Sequence, residues 1–154
     1  LNVVLDTSGA PLREALANPI PGLSVLRMAD EEAEACAGRT LETRAESADF
    51  AEELVKKGVA KQVIIARGAD GSVLAEAGRR LFAKAAKVKL VSRVGAGDSF
   101  VAGYVLAVAQ GLDSAAALAY GAAAASAAVT TDATQLCHLA DVERLLPECA
   151  VSQV

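Results

Sequence analysis

Short apolar runs, separated by stretches of helical spacing, constrain this chain more than any other feature. Val3-Val4-Leu5 ends at Asp6 and the turn residues Thr7-Ser8-Gly9. Leu23 to Arg27 is a second such run, and Gln62 to Ala66, with Val63-Ile64-Ile65 at its centre, is the clearest. Runs of this length between turn residues suit strands buried on both faces. Helices are predicted between them: Pro11 to Ala17, with proline in its first turn, and Glu31 to Ala37, with Asp30 as its expected cap and Gly38 as its stop. A third is Ser47 to Lys57, where Phe50, Leu54 and Val55 recur at helical spacing and Gly58 closes the element. Strand–helix alternation of this kind predicts an α/β fold with a mainly parallel sheet.

The pattern continues downstream. Gly68-Ala69-Asp70-Gly71 reads as a tight turn and Ser72 to Ala75 as the start of a return strand. Gly78 to Ala83 and Val88 to Val91 read as a further extended region. Three helices are expected after that: Asp98 to Gln110, stopped by Gly111; Ser114 to Val129; and Ala140 to Leu146, stopped by Pro147. With no repeat and no linker in view, the expectation is one compact unit. Composition narrows what that unit can be. The apolar share is 53% but aromatics make up only 3%, so the core has to come from Val, Leu, Ile and closely packed Ala helices.

A net charge of −4 offers no global field for nucleic acid or an anionic membrane surface. A phosphate-binding protein of this charge needs locally arranged donors. Cys36, Cys137 and Cys149 are odd in number and lack Cys-x-x-Cys spacing, which argues against a disulfide framework or structural zinc and fits a reducing cytoplasm. The Ala-rich run from Ala115 to Val129 is too short and too weakly apolar to span a membrane. The sequence opens on Leu1, directly into a strand, and reads as a fragment of something longer.

Chemistry concentrates in Val94-Gly95-Ala96-Gly97-Asp98-Ser99-Phe100. Two glycines around one alanine let the backbone approach a ligand and turn its N–H groups inward. The helix that follows at once adds its unpaired N–H groups and the positive end of its dipole, making an anion hole. Asp98 stands at that same helix start. A carboxylate there suits a base facing a hydroxyl that attacks phosphorus, while the N–H groups offset charge on the transferring group. The same residues also suit an ordinary glycine loop followed by an acidic helix cap. Ser99 is read as support for the helix start, Ser126 as a packed residue, and His138 as a residue that opens a helix.

Further matches occur in order along the chain: Asp6-Thr7-Ser8-Gly9, Val63 to Gly71, and Tyr120-Gly121 through Thr134-Gln135-Leu136-Cys137. On these residues and the Val94 to Phe100 segment, the whole chain resembles the ribokinase-like (PfkB) sugar kinases, in their phosphofructokinase branch. The resemblance implies a doubly wound α/β fold, with this chain as the nucleotide-binding C-terminal portion, residues 1–154. It implies transfer of the γ-phosphate of ATP, with Mg²⁺, to a sugar hydroxyl, typically of a phosphorylated ketohexose. By position, Asp98 is the base and Gly95, Ala96 and Gly97 form the anion hole. Gly68, Ala69 and Gly71 border the ATP phosphates, Arg27 stands where the family has a lysine able to pair with phosphate, and Glu32 helps organise Mg²⁺. Ala125 and Ser126 fall by the adenine. Implied partners are a small sugar phosphate, with no nucleic acid or membrane, and a possible homodimer of the full-length protein.

The chain also departs from that pattern. Met28 and Ala29 replace the Pro and Asn of a Lys-Pro-Asn motif, Ala66 replaces Ser or Thr, Arg93 replaces Thr, and Ala125 and Ala133 replace glycines. These losses cluster around the nucleotide, so a degenerate, non-catalytic nucleotide-binding or interaction module is the alternative. Members of the family are roughly twice this length. Their other half supplies the sugar-binding carboxylates and the lid, so the expectation is that this polypeptide alone binds sugar poorly and turns over slowly or not at all. A Rossmann-type dehydrogenase is a weaker fit, because no acidic residue ending a second strand follows the glycines.

Overall fold

A computed structural model describes residues 2–133 and 135–154; Thr134, part of one of the matches above, lies outside the described residues. Six strands form one mixed sheet in the order β1 to β6: β1 Val4–Asp6, β2 Val25–Ala29, β3 Gln62–Ala66, β4 Gly71–Glu76, β5 Arg79–Lys84 and β6 Val151–Gln153. β1, β2 and β3 are parallel, and β4 returns antiparallel to β3. The α/β class follows the alternation in the sequence. Parallel pairing stops at β3, because residues 67–70, which join it to β4, are too short a link for a parallel crossover.

The chain divides into two compact units where one was expected. The first comprises the residues up to Gly68 together with Ser72–Phe82 and Gln153–Val154; the second comprises Ala69–Gly71 and Ala83–Ser152. In the first unit, strand register builds the core. Leu26 pairs with Val63 and Val63 with Ala75, while Met28 pairs with Ile65 and Ile65 with Val73. Alternate residues of a strand share a face, so these six make two apolar rows across the sheet. Leu12 of α1 (Gly9–Ala17), Ala33 of α2 (Asp30–Ala37) and Phe50, Ala51 and Leu54 of α3 (Arg44–Lys56) complete the same buried cluster.

Helix starts differ from the sequence reading: α1 begins at Gly9 where Pro11 was expected, the helix expected from Asp98 begins at Ala96, and two caps are not the expected ones. α3 begins at Arg44, because Thr43 caps it: its hydroxyl accepts the Glu46 N–H at 3.1 Å while the Glu46 carboxylate accepts the Thr43 N–H at 2.8 Å. Asp30 does not cap α2. Ala29 holds the cap position, and Glu32 reaches back to accept its N–H at 2.8 Å. Gly38 ends α2 in a left-handed conformation, as predicted.

The second unit carries α4 (Ala96–Ala109), α5 (Ser114–Ala128) and α6 (Leu139–Leu145). α4 and α5 approach closely because two positions lack side chains. A Cβ on Gly103 would lie 2.8 Å from the Tyr120 carbonyl oxygen, and one on Gly121 would lie 2.9 Å from the Phe100 ring. Phe100 and Tyr104 stack with centroids 6.3 Å apart. Asp113 caps α5 by accepting the Ala116 N–H at 2.8 Å. Val88 to Val91 forms no strand, whereas β6, absent from the sequence reading, does form. Among the described residues, no helix is long and apolar enough to cross a membrane.

Candidate active site

The glycine segment adopts the backbone its sequence predicts. Gly95 sits at φ 78°, the left-handed region, as the N-cap of α4, and its carbonyl accepts the Ser99 N–H at 2.9 Å. The Ala96 N–H turns back to the Arg93 carbonyl at 3.3 Å. Among the described residues, the N–H groups of Gly95, Gly97 and Asp98 have no backbone partner. That leaves donors and the positive end of a 14-residue helix together at one turn. Leu136 lies against this turn: a Cβ on Gly95 would be 2.7 Å from its Cδ2. Asp98 is exposed in the first turn of α4, and among the described residues it makes no hydrogen bond or ion pair. Ser99 is 2% exposed and its hydroxyl has no hydrogen-bond partner among the described residues, so it supports the helix start only through its N–H.

The Gly68–Asp70 segment is a single 3-10 turn, with Gly68 left-handed at φ 56° and Ala69 exposed. Gly71 has a reason of its own. At φ 136°, a Cβ there would lie 2.0 Å from the Ala83 carbonyl oxygen, so glycine is demanded by backbone approach within the second unit. On α5, Ala125 is half-buried, while Ser126 is 5% exposed and its hydroxyl accepts the Ala86 N–H at 3.1 Å. That contact makes Ser126 a scaffold residue. Ala133 and Arg93 are exposed.

In the first unit, register decides what Arg27 does. It lies directly across from Asp6, and its guanidinium donates to both carboxylate oxygens at 3.1 and 3.2 Å. Glu32 commits one oxygen to the α2 cap. Among the described residues, no group of three or more His, Cys, Asp or Glu side chains comes together to hold a metal. Glu32 therefore fits Mg²⁺ only as one contributor to a site completed by phosphate oxygens and water, which is how that ion is commonly bound. His138 opens α6, with its carbonyl accepting the Asp141 N–H at 3.0 Å. The three cysteines are free, and burial pushes the Cys36 and Cys149 thiols up, which disfavours their thiolate forms.

Such an arrangement defines an α/β protein with amide donors and a carboxylate on one helix end, the equipment of group transfer to or from an anion. The pfkB family carbohydrate kinase pattern matches residues 1–141, and the chain belongs to that family. It is 32% identical over 142 residues to an ATP-dependent 6-phosphofructokinase isozyme 2 of Mycobacterium tuberculosis, covering 92% of this chain and 41% of that one. A 1-phosphofructokinase of Haloferax volcanii is 40% identical over 108 residues, covering 70% and 35%. Phosphofructokinase-2 from Escherichia coli, solved in complex with substrates and products, superposes with a TM-score of 0.87 at 28% identity, covering 96% and 47%. The chain thus spans less than half the length of these relatives.

Proposed function

We propose that residues 1–154 are the nucleotide-binding C-terminal portion of an ATP-dependent sugar kinase. The acceptor is a hydroxyl of a phosphorylated ketohexose, as in a 6-phosphofructokinase. The observation that carries this reading is the left-handed Gly95 opening α4, with N–H groups at Gly95, Gly97 and Asp98 that have no backbone partner among the described residues and the exposed Asp98 carboxylate in the same turn. Asp98 orients the attacking hydroxyl and takes its proton as the oxygen bonds to the γ-phosphorus and the bond to ADP breaks. The Gly95–Gly97 amides hold the charge that spreads over the transferring phosphoryl oxygens. Mg²⁺, held in part by Glu32, supplies further charge neutralisation when bound. Gly68 and Ala69 border the phosphates in this reading, and Ala125 borders the base. We assign the activity to the cytoplasm, in keeping with three free cysteines, and the full-length protein to a homodimer.

The test pairs calorimetric titration of MgATP into wild type and Asp98→Asn with turnover of fructose 6-phosphate by the full-length protein containing this chain. Asp98→Asn is expected to lose about 10²- to 10⁴-fold in kcat while keeping its affinity for MgATP. Undiminished turnover in that variant would remove Asp98 from the chemistry.

A second reading rests on Arg27 and Glu32, the side chains expected at phosphate and metal, being engaged by Asp6 and the Ala29 N–H. In that reading the chain is a non-catalytic module that binds nucleotide. MgATP binding with no turnover in the full-length wild type would select it.

A further inference from the structure

The net charge of −4 conceals a segregation. No acidic residue occurs between Glu76 and Asp98, while six of the fifteen cations do. Arg79 and Arg80 pair with Glu76 and Asp49. The other four, Lys84, Lys87, Lys89 and Arg93, are exposed, and among the described residues none has a carboxylate partner. They account for every cation of the second unit but Arg144, which is paired with Asp141.

The backbone that carries them is pinned at both ends. Ala85 N–H donates to the Asp70 carbonyl at 3.3 Å and Ala86 N–H to the Ser126 hydroxyl at 3.1 Å. Farther on, Val91 and Ser92 N–H groups both donate to the Val129 carbonyl, at 2.8 and 3.3 Å. Between the pins, the N–H groups of residues 87–90 have no backbone partner among the described residues, and beyond them Arg93 stands two residues before Gly95. That puts its Cα within about 7.6 Å of the glycine turn, inside a Debye length at physiological salt.

Like charges at neighbouring positions repel, and an unpaired row of them lowers stability unless something offsets it. If these cations served solubility alone, they would be expected among acids, as on the rest of this surface. We propose that the Lys84–Arg93 strap is a fixed cationic approach that draws the polyphosphate of the nucleotide to the Gly95 turn. This rests on the functional reading above and adds to it a capture element outside the catalytic turn. A locally positive path on an acidic protein raises the encounter rate of an anion, and the gain fades as salt screens it.

The experiment uses Lys87→Gln/Lys89→Gln, two exposed positions outside the glycine turn, with a melting curve to show that the fold is kept. Inorganic tripolyphosphate and MgATP are titrated at low and at high salt, with fructose 6-phosphate and a single-stranded oligonucleotide as further arms. The expected result is binding of both polyphosphates weakened about five- to tenfold at low salt, with the gap closing at high salt and fructose 6-phosphate unaffected. Unchanged affinity and salt dependence in the variant would overturn the strap and leave the kinase reading standing. A strap-dependent affinity for tripolyphosphate with no preference for MgATP would do the reverse. An effect confined to fructose 6-phosphate, or an oligonucleotide binding more tightly than tripolyphosphate, would also overturn the proposal.

Discussion

The two units solve the same packing problem in opposite ways. The first fills space with side chains: Leu26, Met28, Val63 and Ile65 are each 0% exposed, and Phe50, Leu54 and Phe82 close over the cluster they form. The second removes side chains: Gly103 and Gly121 let α4 and α5 meet at backbone distance, with Ala117, Ala123 and Ala127 buried between larger residues. Charges divide similarly. Six of the ten cations of the first unit have partners, as Arg27 on Asp6 and Arg67 on the Leu41 and Glu42 carbonyls, whereas of the five in the second only Arg144 has one among the described residues. Large side chains tolerate shrinking badly and small ones tolerate growth badly. The proposed chemistry sits on the unit that has no room to grow.

That contrast can be broken by substitution. Gly71→Ala is expected to be the most damaging change, because both its φ of 136° and the Ala83 carbonyl oxygen 2.0 Å away oppose a Cβ. A loss above about 4 kcal/mol would leave no cooperative thermal transition to measure. Leu26→Ala tests the filled unit and should cost about 2–5 kcal/mol by chemical denaturation. A value below 1 kcal/mol would mean that the apolar rows are not what holds the first unit. Gly103→Ala tests the emptied unit, where adding one methyl should cost about 1–3 kcal/mol; a stabilised protein would show that α4 and α5 are free to move apart.

The smallest effect concerns the α3 cap. The Thr43 N–H, and then its hydroxyl, hold the Glu46 carboxyl below its ordinary value. A depressed folded value means that the contribution is present above the unfolded value and is lost as pH falls through the folded one. Glu46→Gln should therefore melt earlier than wild type at neutral pH, with the difference vanishing as pH drops through the carboxylate range. A gap that widens toward acid would contradict the assignment.

Much of this was legible in sequence because it is local. β3 falls on its predicted residues, and the Gly95 turn into α4 needed nothing beyond two glycines and a helical run. The start of α3 was misplaced by three residues, although Thr43 and Glu46 carry the spacing that would have found it. Val88 to Val91 carries a strand composition without a strand, because composition cannot supply a ladder partner.

What the amino-acid order determined by itself was the class of fold, the family resemblance and the position of the glycine turn that opens α4, all set by spacing along the chain. Only the tertiary structure decided which of the site residues expected from the sequence are already committed. The β1–β2 register sets Asp6 across from Arg27, the cap of α2 occupies Glu32, the packing of α5 turns Ser126 to the Ala86 N–H, and the Ala83 carbonyl demands Gly71. Apart from the local cap, each is a contact between residues distant in sequence, fixed by the register and approach of packed elements.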